Sequence, residues 1–223
     1  MENRNAIVFG GTGLVGRYLV EELIKSQRYA TVKVFTRRPL EVEHIKLIEK
    51  VVDVEDIESY AEEIRGDDLF ICLGTTMRKA GSIKRYEELD RKLPFNIASE
   101  ALKRGVSRVA VVSSLGANSS SRNYYARIKG EMEELILSLG FLRKVIVRPS
   151  MLLGERREFR LLELVSKPFV MLLGFIMVGK LSIYRGVHGR VVARSMICLL
   201  GMQEEKKIYL SDELPGLSLE LGS

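Results

Sequence analysis

The chain has no tryptophan, and only two histidines, two cysteines and five prolines among 223 residues. His44 and His188 cannot by themselves build a histidine-rich metal centre, so no metal site is expected. Cys72 and Cys198 sit in apolar runs outside any C-x-x-C pair. That excludes a disulfide scaffold and leads to the expectation of a reduced, cytoplasmic chain. The longest apolar stretch, Phe169–Val178, falls well short of the roughly 20 residues a membrane-crossing helix needs. Residues 1–5 run straight into an apolar segment, so no signal peptide is expected. Charge is not one-sided either. Lysine plus arginine is 35 against 29 acidic residues, a net +6. So mild an excess suits a small anionic ligand and gives no reason to expect nucleic acid.

What the chain does have is 46% apolar residues arranged in a repeating order. Short apolar runs at Ala6–Phe9, Thr31–Phe35, Val51–Val52, Leu69–Leu73, Val109–Val112 and Val145–Val147 read as strands. Between them, helical periodicity covers Leu14–Ser26, Ile57–Ile64, Ile83–Arg104 and Tyr124–Leu139. Pro94 interrupts the third of these helices and predicts a kink or a break. Strand and helix alternate about six times, which requires a parallel sheet covered on both faces. The expectation is a Rossmann-type, doubly wound α/β fold in one NAD(P)-binding domain spanning 1–223. Its core would be 1–150, and 151–223 would form a small substrate-side cap. Helices are expected there over Phe159–Leu173 and Arg190–Leu200, and a strand over Lys207–Leu210.

In such a sheet, ligands bind at the carboxyl ends of the strands. Gly10-Gly11-Thr12-Gly13-Leu14-Val15-Gly16 follows the first strand and opens the first helix. Glycine allows the tight turn and the close approach of a pyrophosphate, and the helix N-terminus offers N–H groups and positive potential. The bland alternative is a sharp turn with no ligand. After the second strand an NAD site usually carries a carboxylate for the ribose hydroxyl. Here Arg37 and Arg38 stand in that place, which favours the 2′-phosphate of NADP(H) over NAD(H). Asp53, after the third strand, is placed to meet the adenine or to cap the next helix.

Tyr125 and Lys129 are spaced i,i+4 on one predicted helix, so their side chains share a face. A neighbouring ammonium stabilises phenolate and lowers a tyrosine pKa toward a range useful for proton transfer. Ser113 and Ser114 end the preceding strand, and a serine hydroxyl there could hold a substrate oxygen. Tyr124 competes for the role, but its i+4 neighbour is Ile128, which cannot tune it. An ordinary amphipathic helix face is the competing explanation for the pair.

Together these residues resemble the short-chain dehydrogenase/reductase superfamily. The similarity is to its atypical, NmrA- and epimerase-related members, and most of all to the Tat-interacting-protein-like oxidoreductases. It is carried by the glycine turn, Thr36-Arg37-Arg38, Cys72-Leu73-Gly74-Thr75-Thr76, Lys79-Ala80-Gly81, Val112-Ser113-Ser114-Leu115-Gly116-Ala117, Tyr125 with Lys129, and Arg148-Pro149. The resemblance implies an NADP(H) site lined by Leu73, Gly74, Thr75 and Ser113. Pro149, Ser150, Met151 and Leu152 would pass the nicotinamide. Tyr125, Lys129 and Ser114 would match the catalytic residues, with Ser113 as an alternative serine. The chain departs from the pattern at Asp90, where extended members usually carry asparagine.

The functional expectation is an NADP(H)-dependent oxidoreductase acting on a small carbonyl or alcohol. Two other readings stand beside it. One is a cofactor-binding redox sensor or protein-interaction module. The other is a nucleotide-sugar epimerase or dehydratase, for which the segment after Pro149 is small. A homodimer or a protein partner is left open. Four minor features have plain explanations: His188 as a helix-entry residue, Phe169–Val178 as a buried or contact surface, Cys72 as core, and Arg156, Arg157 and Arg160 as either a solvated face or an anion site.

Overall fold

A computed structural model of the protein describes residues 3–154 and 179–219. The expected Phe159–Leu173 helix, the Phe169–Val178 stretch and the arginines at 156, 157 and 160 lie outside these residues. Seven parallel strands form one sheet: β1 (Arg4–Phe9), β2 (Tyr29–Thr36), β3 (Leu47–Val51), β4 (Asp68–Ile71), β5 (Arg108–Val112), β6 (Arg143–Arg148) and β9 (Ile208–Leu210). Their order is β3-β2-β1-β4-β5-β6-β9. Strand order reverses between β1 and β4, the switch point at which such sheets bind ligands. The sheet is the Rossmann-like fold that the alternation of elements implied.

The period-2 pattern of the strands sorts side chains to two faces. Ala6 and Val8 of β1 join Val32, Val34, Phe70 and Val145 in one core layer. Helices α1 (Leu14–Lys25) and α6 (Gly189–Gly201) close that layer. Ile7 and Phe9 point the other way, into a layer closed by α4 (Leu93–Lys103) and α5 (Tyr124–Ser138). There Phe9 and Phe35 stack with centroids 4.8 Å apart. Both faces of the sheet are dry, and that is why its strands read as unbroken apolar runs.

Two elements differ from their sequence expectation, and a third, the break expected at Pro94, takes a form that the sequence did not specify. The third strand occupies Leu47–Val51, earlier than Val51–Val52, and pairs with Val32–Thr36. It is an edge strand, and the polar Glu49 and Lys50 within it weaken the apolar signal. Ile57–Glu63 is a 3-10 helix rather than an α-helix. The long helix around Pro94 is split into α3 (Ile83–Glu87), a π-turn over Glu88–Lys92, and α4. Proline has no N–H to give the fourth carbonyl before it, here that of Asp90. The chain widens by one residue ahead of Pro94, and Leu93 N–H donates to the Glu88 carbonyl. A short α2 (Met77–Ala80) precedes α3 and stops at Gly81, whose φ is +75°.

The described part of 151–223 does two things. Leu152–Leu153 (β7) pairs with Val187–His188 (β8) in a two-residue ladder beside the end of β6. Residues 189–219, which include a short α7 (Leu214–Leu219), extend the sandwich through α6 and β9. Arg143, almost buried, ties these pieces together. Its guanidinium donates to the Leu199 carbonyl at 3.2 Å, the Lys206 carbonyl at 2.8 Å and the Tyr209 hydroxyl at 2.9 Å.

At the amino ends of the strands, Asp68 is fully buried. It accepts the Tyr29 hydroxyl at 2.6 Å and pairs with the Arg108 guanidinium through both of its oxygens. Burial, with the Asp68 charge second, holds the Tyr29 phenol well above its ordinary pKa. Removing one member of a buried ion pair strands the others without water. Asp68→Ala is expected to lower unfolding free energy by about 3–5 kcal/mol, measured by urea denaturation. A loss below about 1 kcal/mol would mean that water reaches this cluster.

Candidate functional site

The glycine turn is built by steric exclusion. Gly10 has φ +87°, and a Cβ there would lie 2.6 Å from the Cys72 carbonyl oxygen at the end of β4. A Cβ on Gly16 would lie 2.0 Å from the Gly10 carbonyl oxygen. Only hydrogen fits at either place. Gly13 N–H donates back to the Gly10 carbonyl at 3.0 Å, and Gly13 then caps α1 without any side chain. The first-turn N–H groups of α1 face the switch point with no side-chain cap, the arrangement that suits a phosphate. Thr12 and Gly13 are exposed, Leu14 is half-buried, and Gly11 and Val15 are packed inward.

Around this turn the other expected cofactor residues fall at strand ends. Arg37 and Arg38 are exposed just past β2, where the Thr36 hydroxyl donates to the Arg38 carbonyl at 2.8 Å and shapes the turn. Leu73, Gly74 and Thr75 follow β4, and Gly74 is open to solvent. Asp53 is exposed, and one of its oxygens accepts the Glu55 N–H at 3.1 Å, a local turn at the entry to the 3-10 helix. Pro149 follows β6, and its carbonyl accepts the Leu115 N–H at 2.9 Å. Ser150 is held by Ser211, whose hydroxyl accepts the Ser150 N–H at 3.1 Å. The Met151 carbonyl accepts the Val187 N–H at 2.9 Å, and Leu152 enters β7. The strand order therefore gathers the ends of β1, β4, β5 and β6 along one edge, with the arginine pair beyond β1 at the end of β2.

Helix α5 presents the tyrosine and the lysine. The Asn123 side chain accepts the Ala126 N–H at 3.1 Å and starts the helix just before them. Tyr125 is 43% exposed, whereas Lys129 is buried. The Lys129 ammonium lies 2.6 Å from a carboxylate oxygen of Asp90 in the π-turn. Desolvation acts to lower the Lys129 pKa, but Asp90, the Tyr125 phenol and Glu133 outweigh it, so the group stays a cation above its ordinary pKa. Tyr124 faces elsewhere, its hydroxyl 3.5 Å from the Ile83 carbonyl and Glu87. The loop carrying Ser113 and Ser114 folds back on α5. Asn118 N–H donates to the Ala126 carbonyl at 2.9 Å, and a Cβ on Gly130 would lie 2.1 Å from the Ser119 nitrogen. Ser113 is buried, and its hydroxyl lacks a partner among the described residues. The Ser114 hydroxyl is half-buried, with a long 3.4 Å contact to the Leu115 carbonyl.

Two residues of the site escaped sequence reasoning as participants. Tyr86 is fully buried, its ring 6.2 Å from that of Tyr125, and its hydroxyl has no partner among the described residues. Asp90 stood out only as a departure from a pattern. The spacing of Tyr86 and Asp90 put them on one helical face, but their neighbours on α5 come from tertiary packing. The remaining features have structural roles. His188 caps α6 by accepting the Arg190 N–H at 3.2 Å. Burial pushes the Cys72 thiol up to about 12, which suits a core residue and not a nucleophile. Among the described residues no group of three or more potential ligands could hold a metal ion, and no helix is long and apolar enough to cross a membrane.

Residues 10–168 match the family model described as NAD(P)H-binding. The chain belongs to this NAD(P)H-binding family. It is 36% identical to the mitochondrial protein FMP52 of Candida glabrata over 71% of this chain and 68% of that one. It is 34% identical to protein HTATIP2 of Rattus norvegicus, over 76% and 71% of the two chains. Among solved structures, MoeE5 in complex with UDP-glucose and NAD superposes with a TM-score of 0.67 at 17% identity, covering 97% of this chain and 81% of MoeE5. That likeness is one of fold. The relatives also correct one expectation. Several are named as mitochondrial, against the cytoplasmic placement drawn from the cysteines. Reduced thiols mark a reducing environment and do not distinguish one such compartment from another.

The steric reading of the turn is directly testable. Gly16→Ala forces a methyl group against the Gly10 carbonyl, so the turn must open. The expected cost is about 1–3 kcal/mol of stability, with loss of nicotinamide-nucleotide binding in calorimetry. Binding and melting temperature equal to those of the wild type would disprove the steric account.

Proposed function

We propose that the protein is an NADP(H)-dependent oxidoreductase of the short-chain type, acting on a small carbonyl or alcohol substrate. The observation that carries this reading is Tyr125 and Lys129 on one face of α5, with Lys129 buried against Asp90 beside Gly74 at the switch point. The residues present fit a dinucleotide. The side-chain-free turn from Gly10 to Gly16 and the open N-terminus of α1 would hold the pyrophosphate. Arg37 and Arg38 would take the 2′-phosphate, with Asp53 on the adenine side. Leu73, Gly74, Thr75 and Ser113 would line the middle of the cofactor, and Pro149, Ser150, Met151 and Leu152 would line its nicotinamide end. When bound, the cofactor supplies or accepts a hydride.

The chain's own residues manage the oxygen and its proton. In reduction, the Tyr125 phenol gives its proton to the oxygen of the carbonyl being reduced. In oxidation, the phenolate takes that proton from the alcohol. Lys129 lies on the same helix face, and Ser114, just after β5, holds the oxygen. The names of the relatives support a mitochondrial setting.

Two measurements test the reading. Calorimetry should show NADP+ and NADPH binding more tightly than NAD+ and NADH. Replacing Arg37 and Arg38 by alanine should weaken NADP+ binding by about 10–100-fold, the value of charge-assisted bonds to phosphate. Equal affinities in the wild type would remove the NADP preference. In a carbonyl screen followed by NADPH absorbance, Tyr125→Phe should lower turnover by about 100-fold or more while nucleotide binding stays within about twofold. Undiminished turnover in that variant would remove Tyr125 from the mechanism.

A further inference from the structure

Charge is sorted along the substrate half of the cleft, past the ends of β4, β5 and β6. Arg78 lies in α2, three residues after Thr75, whose N–H is held by Asp90 at 2.8 Å. Lys84 lies in α3 beside Ile83, whose carbonyl is 3.5 Å from the Tyr124 hydroxyl. Arg122 stands just ahead of the Asn123 cap of α5, three residues before Tyr125. The Arg185 carbonyl accepts the Ser150 hydroxyl, next to Met151. All four residues are exposed, and their charged groups have no partner among the described residues. The carboxylates of the same region are engaged. Glu87 pairs with Arg91, Glu88 lies 3.5 Å from Arg85, Asp90 lies 2.6 Å from Lys129, and Glu131 pairs with Arg91 and lies 3.8 Å from Arg127. Two others face hydroxyls: Glu134 that of Ser119, and Asp212, past β9, that of Ser182 at 2.9 Å. Each free cation also has a large exposed apolar neighbour in the chain. These are Met77, Ile83, Tyr184, and, at the start of α5, Tyr125.

We propose that the substrate is an anion: a carbonyl or alcohol whose apolar or aromatic carbon frame carries a carboxylate or phosphate, which Arg78, Lys84, Arg122 and Arg185 collect. Cations without counter-ions around a cleft raise the local concentration of anions. Guanidinium and ammonium groups bind carboxylate and phosphate alike. The apolar neighbours of the four cations supply contact for the carbon frame. Arg37 and Arg38 stand apart from this group, past β2, on the cofactor's other half. The identity of the bound anion as a substrate rests on the oxidoreductase reading, whereas its binding does not.

The test therefore reads binding. With excess NADP+ present to fill the cofactor's own phosphate site, the protein is titrated at low salt with benzoate, phenyl phosphate and neutral benzyl alcohol, followed by ligand-observed NMR. At least one anion should bind about fivefold or more tightly than benzyl alcohol, and added salt should shrink the difference. A preference for phenyl phosphate alone identifies a phosphate-bearing substrate, and one for benzoate alone a carboxylate. Replacing Arg78, Lys84, Arg122 and Arg185 together by alanine should bring the three ligands within about twofold of one another. All four are surface positions, so the fold should survive. The control is Lys25→Glu with Lys207→Glu, two exposed cations at the amino ends of the strands. It changes the total charge by the same amount and should leave the preference intact. Anions that bind the wild type no more tightly than benzyl alcohol would overturn the proposal. So would a preference that persists in the alanine variant, or one lost equally in the control. Failure of the oxidoreductase reading looks different, with the anion preference intact and turnover undiminished in Tyr125→Phe.

Discussion

Between the ends of β1 and β4 there is no room for a side chain. The Gly10 α-carbon approaches the Cys72 carbonyl so closely that a methyl group would overlap it, and Gly16 presses on Gly10 in the same way. This backbone contact brings the start of α1 down onto the sheet edge where strand order reverses. The direction of the α1 N–H groups follows from it, as does the proximity of the glycine turn to Gly74. The dry layers on both sheet faces hold the contact in place, because parallel strands can exchange their hydrogen bonds for water only by unfolding.

The site is accordingly a set of strand ends and helix starts with little freedom. Asn123 caps α5, Gly130 lets the serine loop lie against that helix, and the Asp90–Lys129 pair bolts α5 to the π-turn. Three of the four buried side-chain atoms without a partner among the described residues belong to Tyr86, Asp90 and Ser113. For Asp90 that oxygen is the one lying 2.6 Å from the Lys129 ammonium, so the ion pair supplies its partner. Unsatisfied polar atoms are costly in a core and concentrate at sites that handle polar ligands.

Membership in the NAD(P)H-binding family and the fold agree with this picture. Relatives as different as FMP52 and HTATIP2, and a structural neighbour that binds UDP-glucose with NAD, place no single reaction on the shared frame. A Rossmann sheet fixes where a dinucleotide lies and leaves the reaction to a few side chains. In this chain the side chains that stand beside that place include the exposed phenol on α5, the buried lysine one turn on, and the carboxylate that faces the lysine.

Much of this was determined by sequence alone, through short-range physics. Short apolar runs set the strands, glycine spacing set the first turn, and i,i+4 spacing put Tyr125 and Lys129 together. These rest on contacts within a few residues, which local pattern records. Where sequence reading slipped, the cause was a competing interaction. Edge exposure hid the start of β3, and the form of the break expected at Pro94, a π-turn, was not legible in the sequence. Tertiary structure alone decided that Asp90, 39 residues before Lys129 in the chain, is its partner. It also decided that Arg143 gathers the late elements and that Tyr86 lies against Tyr125. Those pairings depend on the crossing of helices over the sheet, and no periodicity along the chain encodes which residues meet there.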